Sequence, residues 1–295
     1  MTVRSSPLSR LHRMSEPVSP AVGLGVLHLF CRIPGPGVDR EAIRTAVEAA
    51  TTAGDQVGSV AILGHKADLA FMGLGDDLWR LRDLQTALVA AGLQVVDSYV
   101  SLTEVSEYAQ GVPDEMKQAR LHPELPPAGK PAWCFYPMSK RRNVGANWYR
   151  LPYDDRHELM MEHGASGRRF AGRILQVVTG SPGVDDHEWG VTLFGEHPDD
   201  LKDVVYTMRY DRASADYGEF GTFYTGMGDD LDTVLTRAGC AGSWNRLSST
   251  SRRWKASGGP CTIWAGSWWL FPAAPTRPSW PGWPTTPWVP TGSTW

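Results

Sequence analysis

The chain has 295 residues, 42% of them hydrophobic, and a formal net charge of −3. That length can bury one large core or two small ones, the charge offers no global basic field for nucleic acid, and no apolar run approaches the roughly 20 residues that span a bilayer. Four cysteines, Cys31, Cys134, Cys240 and Cys261, lack any C-x-x-C pair or His/Cys cluster, which argues against structural zinc and a disulfide framework and fits a reducing cytoplasm.

Residues 1–21 are expected to be disordered or wrongly included. Arg4, Arg10 and Arg13 precede the apolar stretch AVGLGVLHLFC, which imitates a secretory leader. Without a small-residue cleavage site after it, the stretch reads as a first strand, and Met14 is an alternative start. The strand GVLHLFCRI leads to a helix over 39–53, strands in SVAILGH and DLAFMGLG, a helix over 78–92 and the strand QVVDSYVSLTEV. Leu78, Leu81, Leu84, Leu88 and Val89 recur at helical spacings, with Asp76 and Asp77 suited to the N-terminal end. The order is βαββαβ.

A connector over 111–131, Pro/Gly-rich from residue 122, precedes a second round of the same order. It runs through strand AWCFYPM, helix DDRHELMMEHG, strands AGRILQVVTG and EWGVTLF joined by the turn SPGVDD, helix DDLKDVVYTMRY, and strand EFGTFYTG. Two tandem βαββαβ units, over 22–110 and 132–228, predict an α+β fold of paired ferredoxin-like halves.

Residues 229–295 are expected to form an irregular tail. The stretch 241–295 holds nine of the thirteen tryptophans, eight prolines, five basic residues and no acidic one, leaving 24 basic against 32 acidic residues before it. A membrane-interface or partner-binding arm would use such tryptophans. The composition fits better a stretch read out of frame or otherwise unselected.

Common signatures are missing: there is no G-x-x-x-x-G-K-[ST], no H-E-x-x-H, no G-x-S-x-G, and no G-x-G-x-x-G at a strand-to-helix junction. Chemistry-bearing residue types crowd instead into FYPMSKRR (135–142), NWY (147–149), LMMEHGASGR (159–168), GRILQVVTGSPGVDDHEWGVTLF (172–194) and MRYDRASADYGEFGTFYTG (208–226).

With SYVSLTEVSEY and ARLHPELP, these segments resemble the coproheme decarboxylases, the haem-synthesis branch of the chlorite-dismutase-like family, over about residues 25–228. The resemblance implies a dimeric α+β barrel, an iron porphyrin in the C-terminal half and a homopentamer. It also implies decarboxylation of two propionates of Fe-coproporphyrin III (coproheme) by hydrogen peroxide to give haem b, with a coproporphyrin ferrochelatase as a delivery partner. Coproheme would be both substrate and redox cofactor.

His163, in its M-x-E-H-G context, matches the proximal iron ligand, for which neutral imidazole is suited. Tyr136, in YPMSK, matches the radical tyrosine, since a phenol can lose a proton and an electron together. Arg120, Lys140 and Ser214 match propionate contacts, and guanidinium groups suit carboxylates; Arg141 and Arg142 individually read as a solvated charge run. Gln176 stands where chlorite-splitting relatives carry a distal arginine, and an amide cannot supply that fixed charge. Actinobacterial-type members add a distal histidine as base for peroxide, for which His122 is the candidate. His28, His65 and His187 read as structural or exposed. The alternatives are chlorite dismutation or general haem peroxidase activity, and a non-enzymatic haem carrier or sensor.

Overall fold

In β1 (Gly25–Arg32), Val26, His28 and Phe30 alternate with Leu27, Leu29 and Cys31, and both sets are buried. A strand with no wet face needs cover on each side. That cover comes from a closed barrel on one side and helices on the other.

The computed structural model describes residues 16–240. The expectations for Met14 as a start and for the Trp/Pro-rich stretch 241–295 lie outside the described residues. After β1 come α1 (Arg40–Thr52), β2 (Gln56–Ile62), β3 (Leu69–Gly75), α2 (Leu78–Ala90) and β4 (Gln94–Thr103). Next come α3 (Asp114–Leu121), β5 (Ala132–Lys140), a small hairpin of β6 (Arg142–Asn143) and β7 (Ala146–Asn147), and a 3-10 turn at Trp148–Arg150. The rest is α4 (Tyr153–Arg168), β8 (Ile174–Gly180), β9 (Trp189–Gly195), α5 (Pro198–Met208), α6 (Arg212–Ala215), β10 (Gly218–Phe220), β11 (Tyr224–Gly228) and α7 (Leu231–Arg237).

The main sheet runs β10-β5-β11-β2-β3-β1-β4-β8-β9, and β9 pairs back onto β5, so the ring closes. Two four-strand groups, β4-β1-β3-β2 and β8-β9-β5-β11, share the ferredoxin-like order. They join through β11–β2 and β4–β8. This is the expected α+β barrel. Asp39 and Asp77 cap α1 and α2, their side chains accepting from backbone N–H groups of the first turn. Among the described residues no helix is long and apolar enough to cross a membrane.

Among the differences from the sequence-based expectation, three alter the main elements. The connector contains α3, whose acidic first turn, Asp114 and Glu115, and Arg120 in the last turn suit the helix dipole. The tail expected to be irregular from residue 229 begins with α7, capped by Asp230 through Thr233 N. Its Val234 and Leu235 complete the core of the first half, so tertiary burial holds this short helix. The single strand expected over 219–226 is broken into β10 and β11. At the break Gly221 donates to the Pro137 carbonyl, and a Cβ there would lie 2.7 Å from the Pro137 ring. The break brings Phe220 and Phe223, three residues apart, against one partner ring, Tyr136. A regular strand would point them to opposite faces.

Inside the barrel, Trp133 and Phe135 surround His28, which is 1% exposed. Its Nε2 pairs with Thr192 Oγ1 at 3.0 Å, while Nδ1 has no partner among the described residues. Burial pulls the imidazole down to about 3. The unfolded chain therefore binds a proton below about pH 6.5 that the native state refuses until about pH 3, and stability falls as pH drops through that window. At pH 5 the loss should be about 2 kcal/mol relative to pH 7.5. Denaturant midpoints of the parent and a His28→Gln variant at both pH values check this: an equal loss in the two proteins would rule out His28 as the source.

Candidate functional site

The outer faces of the two halves are covered differently. In the first half Leu27, Leu29, Cys31, Leu69 and Phe71 are sealed by Ile43, Val47, Leu84 and Leu88 of α1 and α2. In the second, the pairings Tyr136↔Val191↔Val178 and Cys134↔Leu193↔Gln176 place these side chains on one outward face. α5 covers only part of it with Leu201 and Val204, so Val178 stays 40% exposed and Gln176 is exposed beside it. α4, with Leu159 as its one buried residue, carries His163.

Tyr136 is 7% exposed, stacked on Phe223 with ring centroids 4.4 Å apart and edge-on to Phe220 at 5.8 Å. Its hydroxyl forms no hydrogen bond among the described residues. Burial raises its proton affinity well above the usual tyrosine range, with Cys134 adding to the rise and Arg209 opposing it. The phenol stays protonated at working pH.

Lys140, four residues on and on the same face, is buried. Its Nζ donates to the Ala213 carbonyl at 2.6 Å and lies 4.4 Å from the Trp148 ring centre. Burial lowers the ammonium to about 8 against the pull of Glu188, whose Oε2 accepts from Lys140 N.

His163 Nδ1 donates to Asp211 Oδ2 at 3.1 Å, and Ser166 Oγ donates to the other carboxylate oxygen at 2.6 Å. Burial depresses the imidazole's proton affinity, the Lys140 charge adds to this, and Asp211 opposes it. A neutral ring with Nδ1 tied to a carboxylate and Nε2 without a partner among the described residues is arranged as a metal ligand. Among the described residues no three His, Cys, Asp or Glu side chains gather to hold a bare ion.

Phe220 and Phe223, the two rings packed on Tyr136, also line a cavity of about 560 Å³ together with Arg141, Arg209, Ser214 and Glu219. Arg209 lies over the Phe220 ring at 4.6 Å. Aromatic walls with guanidinium and hydroxyl groups suit a flat ring system bearing carboxylates. A second cavity, of about 390 Å³ at one end of the barrel, has Met72, Trp133 and Phe194 among its walls and Lys130 as its one cation, where the first has two arginines.

Of the residues singled out from sequence, Tyr136, Lys140 and Gln176 share one face of the second half, His163 pairs with Asp211 next to α6, and Ser214 lines the cavity. Arg120 and His122 lie exposed at the end of α3 and make no side-chain hydrogen bond or ion pair with the others among the described residues. Arg209 and Asp211 were not singled out. Both lie in the segment MRYDRASADYGEF, where only Ser214 stood out by resemblance, and what gives them a role is contact with Phe220 and His163 across sequence distance.

A family profile described as chlorite dismutase matches residues 39–228. A coproheme decarboxylase of Staphylococcus carnosus is 40% identical over 237 residues, 72% of this chain and 94% of that one. A protein of Natronomonas pharaonis, to which heme binding is assigned by name only, is 44% identical over 183 residues, 56% of this chain; the match spans 30% of that protein's length. Among solved structures, a heme-binding protein from Thermus thermophilus aligns with TM-score 0.67 and 34% identity, over 74% of this chain and 96% of the other. The chlorite dismutase of Candidatus Nitrospira defluvii with imidazole aligns with TM-score 0.61 over 74% of this chain and 96% of the other, and at 18% identity it speaks for the fold alone.

Proposed function

The chain belongs to the chlorite dismutase family, and on that premise we propose that it is a coproheme decarboxylase, an oxidoreductase that uses hydrogen peroxide to convert Fe-coproporphyrin III to haem b. The observation that carries this reading is Tyr136, a buried phenol without a hydrogen-bond partner among the described residues, packed against Phe220 and Phe223, which with Arg141, Arg209 and Ser214 line a cavity. A phenol placed to react with a polycarboxylate fits a carboxyl-removing enzyme better than a carrier.

His163 Nε2 binds the substrate's iron, with Asp211 fixing the ring and its tautomer. Arg141, Arg209 and Ser214 hold propionates, and Lys140 and Arg120 serve the others. Gln176, on the exposed part of the same face, donates or accepts a hydrogen bond, and His122 is the base for peroxide. Bound coproheme supplies the iron through which peroxide is reduced. Tyr136 gives up its phenolic hydrogen atom and recovers one from the propionate β-carbon. Loss of a second electron then releases carbon dioxide and leaves a vinyl group. Per propionate, one carboxylate, one peroxide and one proton give one vinyl, one carbon dioxide and two waters. A homopentamer, supplied by a coproporphyrin ferrochelatase, is part of the same reading.

The test is anaerobic loading with iron coproporphyrin III, titration with peroxide and mass analysis of the porphyrin. Stepwise loss of two carboxyl groups is expected. Tight haem b binding with no conversion of coproheme, or rapid oxygen release from chlorite, would overturn the proposal.

A further inference from the structure

A set of aromatic rings outside the decarboxylation machinery leads away from the site. Trp148 is 3% exposed and packs against Leu159 of α4 and Ala213, the residue before Ser214. Its ring lies edge-on to Tyr108 at 6.4 Å, and Tyr108 stacks on the half-buried Tyr153 at 5.8 Å.

Two features set these rings apart from ordinary core packing. At the inner end, the Lys140 ammonium sits over the Trp148 ring. A cation against the π face stabilises the neutral ring and opposes removal of an electron from it. At the next ring, the Tyr108 phenol accepts from Arg156 Nε at 2.9 Å, and the same guanidinium lies 3.7 Å from the Glu107 carboxylate, which is thereby held close by as a proton acceptor. The Tyr153 hydroxyl donates to the Glu107 carbonyl at 3.2 Å.

We propose that Trp148, Tyr108 and Tyr153 form an electron path from the wall of the site to the surface, and that the Lys140 ammonium over Trp148 restrains it while the substrate reacts. The inference rests on the iron-porphyrin reading above, and its oxidant is hydrogen peroxide, acting through the iron that bound substrate would supply. Trp148 yields one electron to that oxidant and regains one from Tyr108, whose phenolic proton passes to Glu107. Tyr153 re-reduces Tyr108, the proton returns from Glu107, and the Tyr153 proton leaves to solvent. A soluble one-electron donor of the thiol class then restores Tyr153. The path consumes oxidising equivalents that Tyr136 would otherwise spend on a propionate, so restraint at Trp148 favours decarboxylation.

The experiment uses the full chain loaded with iron coproporphyrin III, with loading confirmed by absorbance, and treated with excess peroxide and a nitroso spin trap. Peptide mass mapping locates adducts, and porphyrin mass is followed in parallel. Adducts at Tyr108 and Tyr153 should rise about tenfold in Lys140→Met, the size of a desolvated cation–π contact. Lys140→Arg, which keeps the charge, should hold them at the parent level. Trp148→Phe added to Lys140→Met should remove them, and Tyr108→Phe should remove the Tyr153 adduct. If the Met variant does not load, the comparison falls to the parent chain, where Trp148→Phe must abolish the adducts that excess peroxide produces. Adducts unchanged by Lys140→Met, or persisting without Trp148, would overturn the path. Failure of the decarboxylase reading reads out separately, as an unchanged porphyrin mass in the parent chain.

Discussion

A Tyr136→Phe protein should bind iron coproporphyrin as the parent does and form haem b at least about a thousandfold more slowly, about 4 kcal/mol at the barrier. The ring keeps its stacking on Phe223 and its edge contact with Phe220. The hydroxyl it loses has no partner among the described residues, so stability should change by no more than about 0.5 kcal/mol. Binding and chemistry are thereby separated: absorbance titration reports the first, porphyrin mass after peroxide the second. Normal turnover would assign the radical step to another side chain.

Replacing His163 with Ala should act on binding instead. Loss of the imidazole proposed to hold the porphyrin iron should weaken affinity about a hundredfold, near 3 kcal/mol. The ring leaves space beside Asp211, and added imidazole should fill it and restore the parent's absorbance bands. Asp211→Asn should give a partial version of the same defect, about tenfold, because it disturbs the tautomer and leaves the ligand in place. Since burial and Lys140 depress the imidazole's proton affinity, loading of the parent should hold to lower pH than an ordinary imidazole would allow. An affinity indifferent to the Ala substitution would mean that the iron is held elsewhere.

Both variants probe residues legible as short motifs, yet the motifs alone do not supply the setting in which they act. The phenol of Tyr136 sits without a partner because a broken strand turns Phe220 and Phe223 onto its ring. The outer face of the second half is only partly covered, by Leu201 and Val204 of α5, and His163 on α4 stays half-buried, while α1 and α2 seal the equivalent face of the first half. Arg209 and Asp211 gain their roles from contacts with Phe220 and His163.

The sequence by itself determined the α+β class, the repeated βαββαβ order and the positions of most elements, because period-two and period-3.6 patterns are local consequences of backbone geometry. Through resemblance it also led to the expectation that Tyr136, Lys140 and His163 act together. Tertiary structure decided the closure of β9 onto β5 and the recruitment of α7 into the first half's core. It likewise decided which face stays open beside Tyr136 and which charges surround it. Each of these depends on contacts between residues distant in the chain. A pattern read along the backbone records which side chains need burial, and only the packed structure records against what.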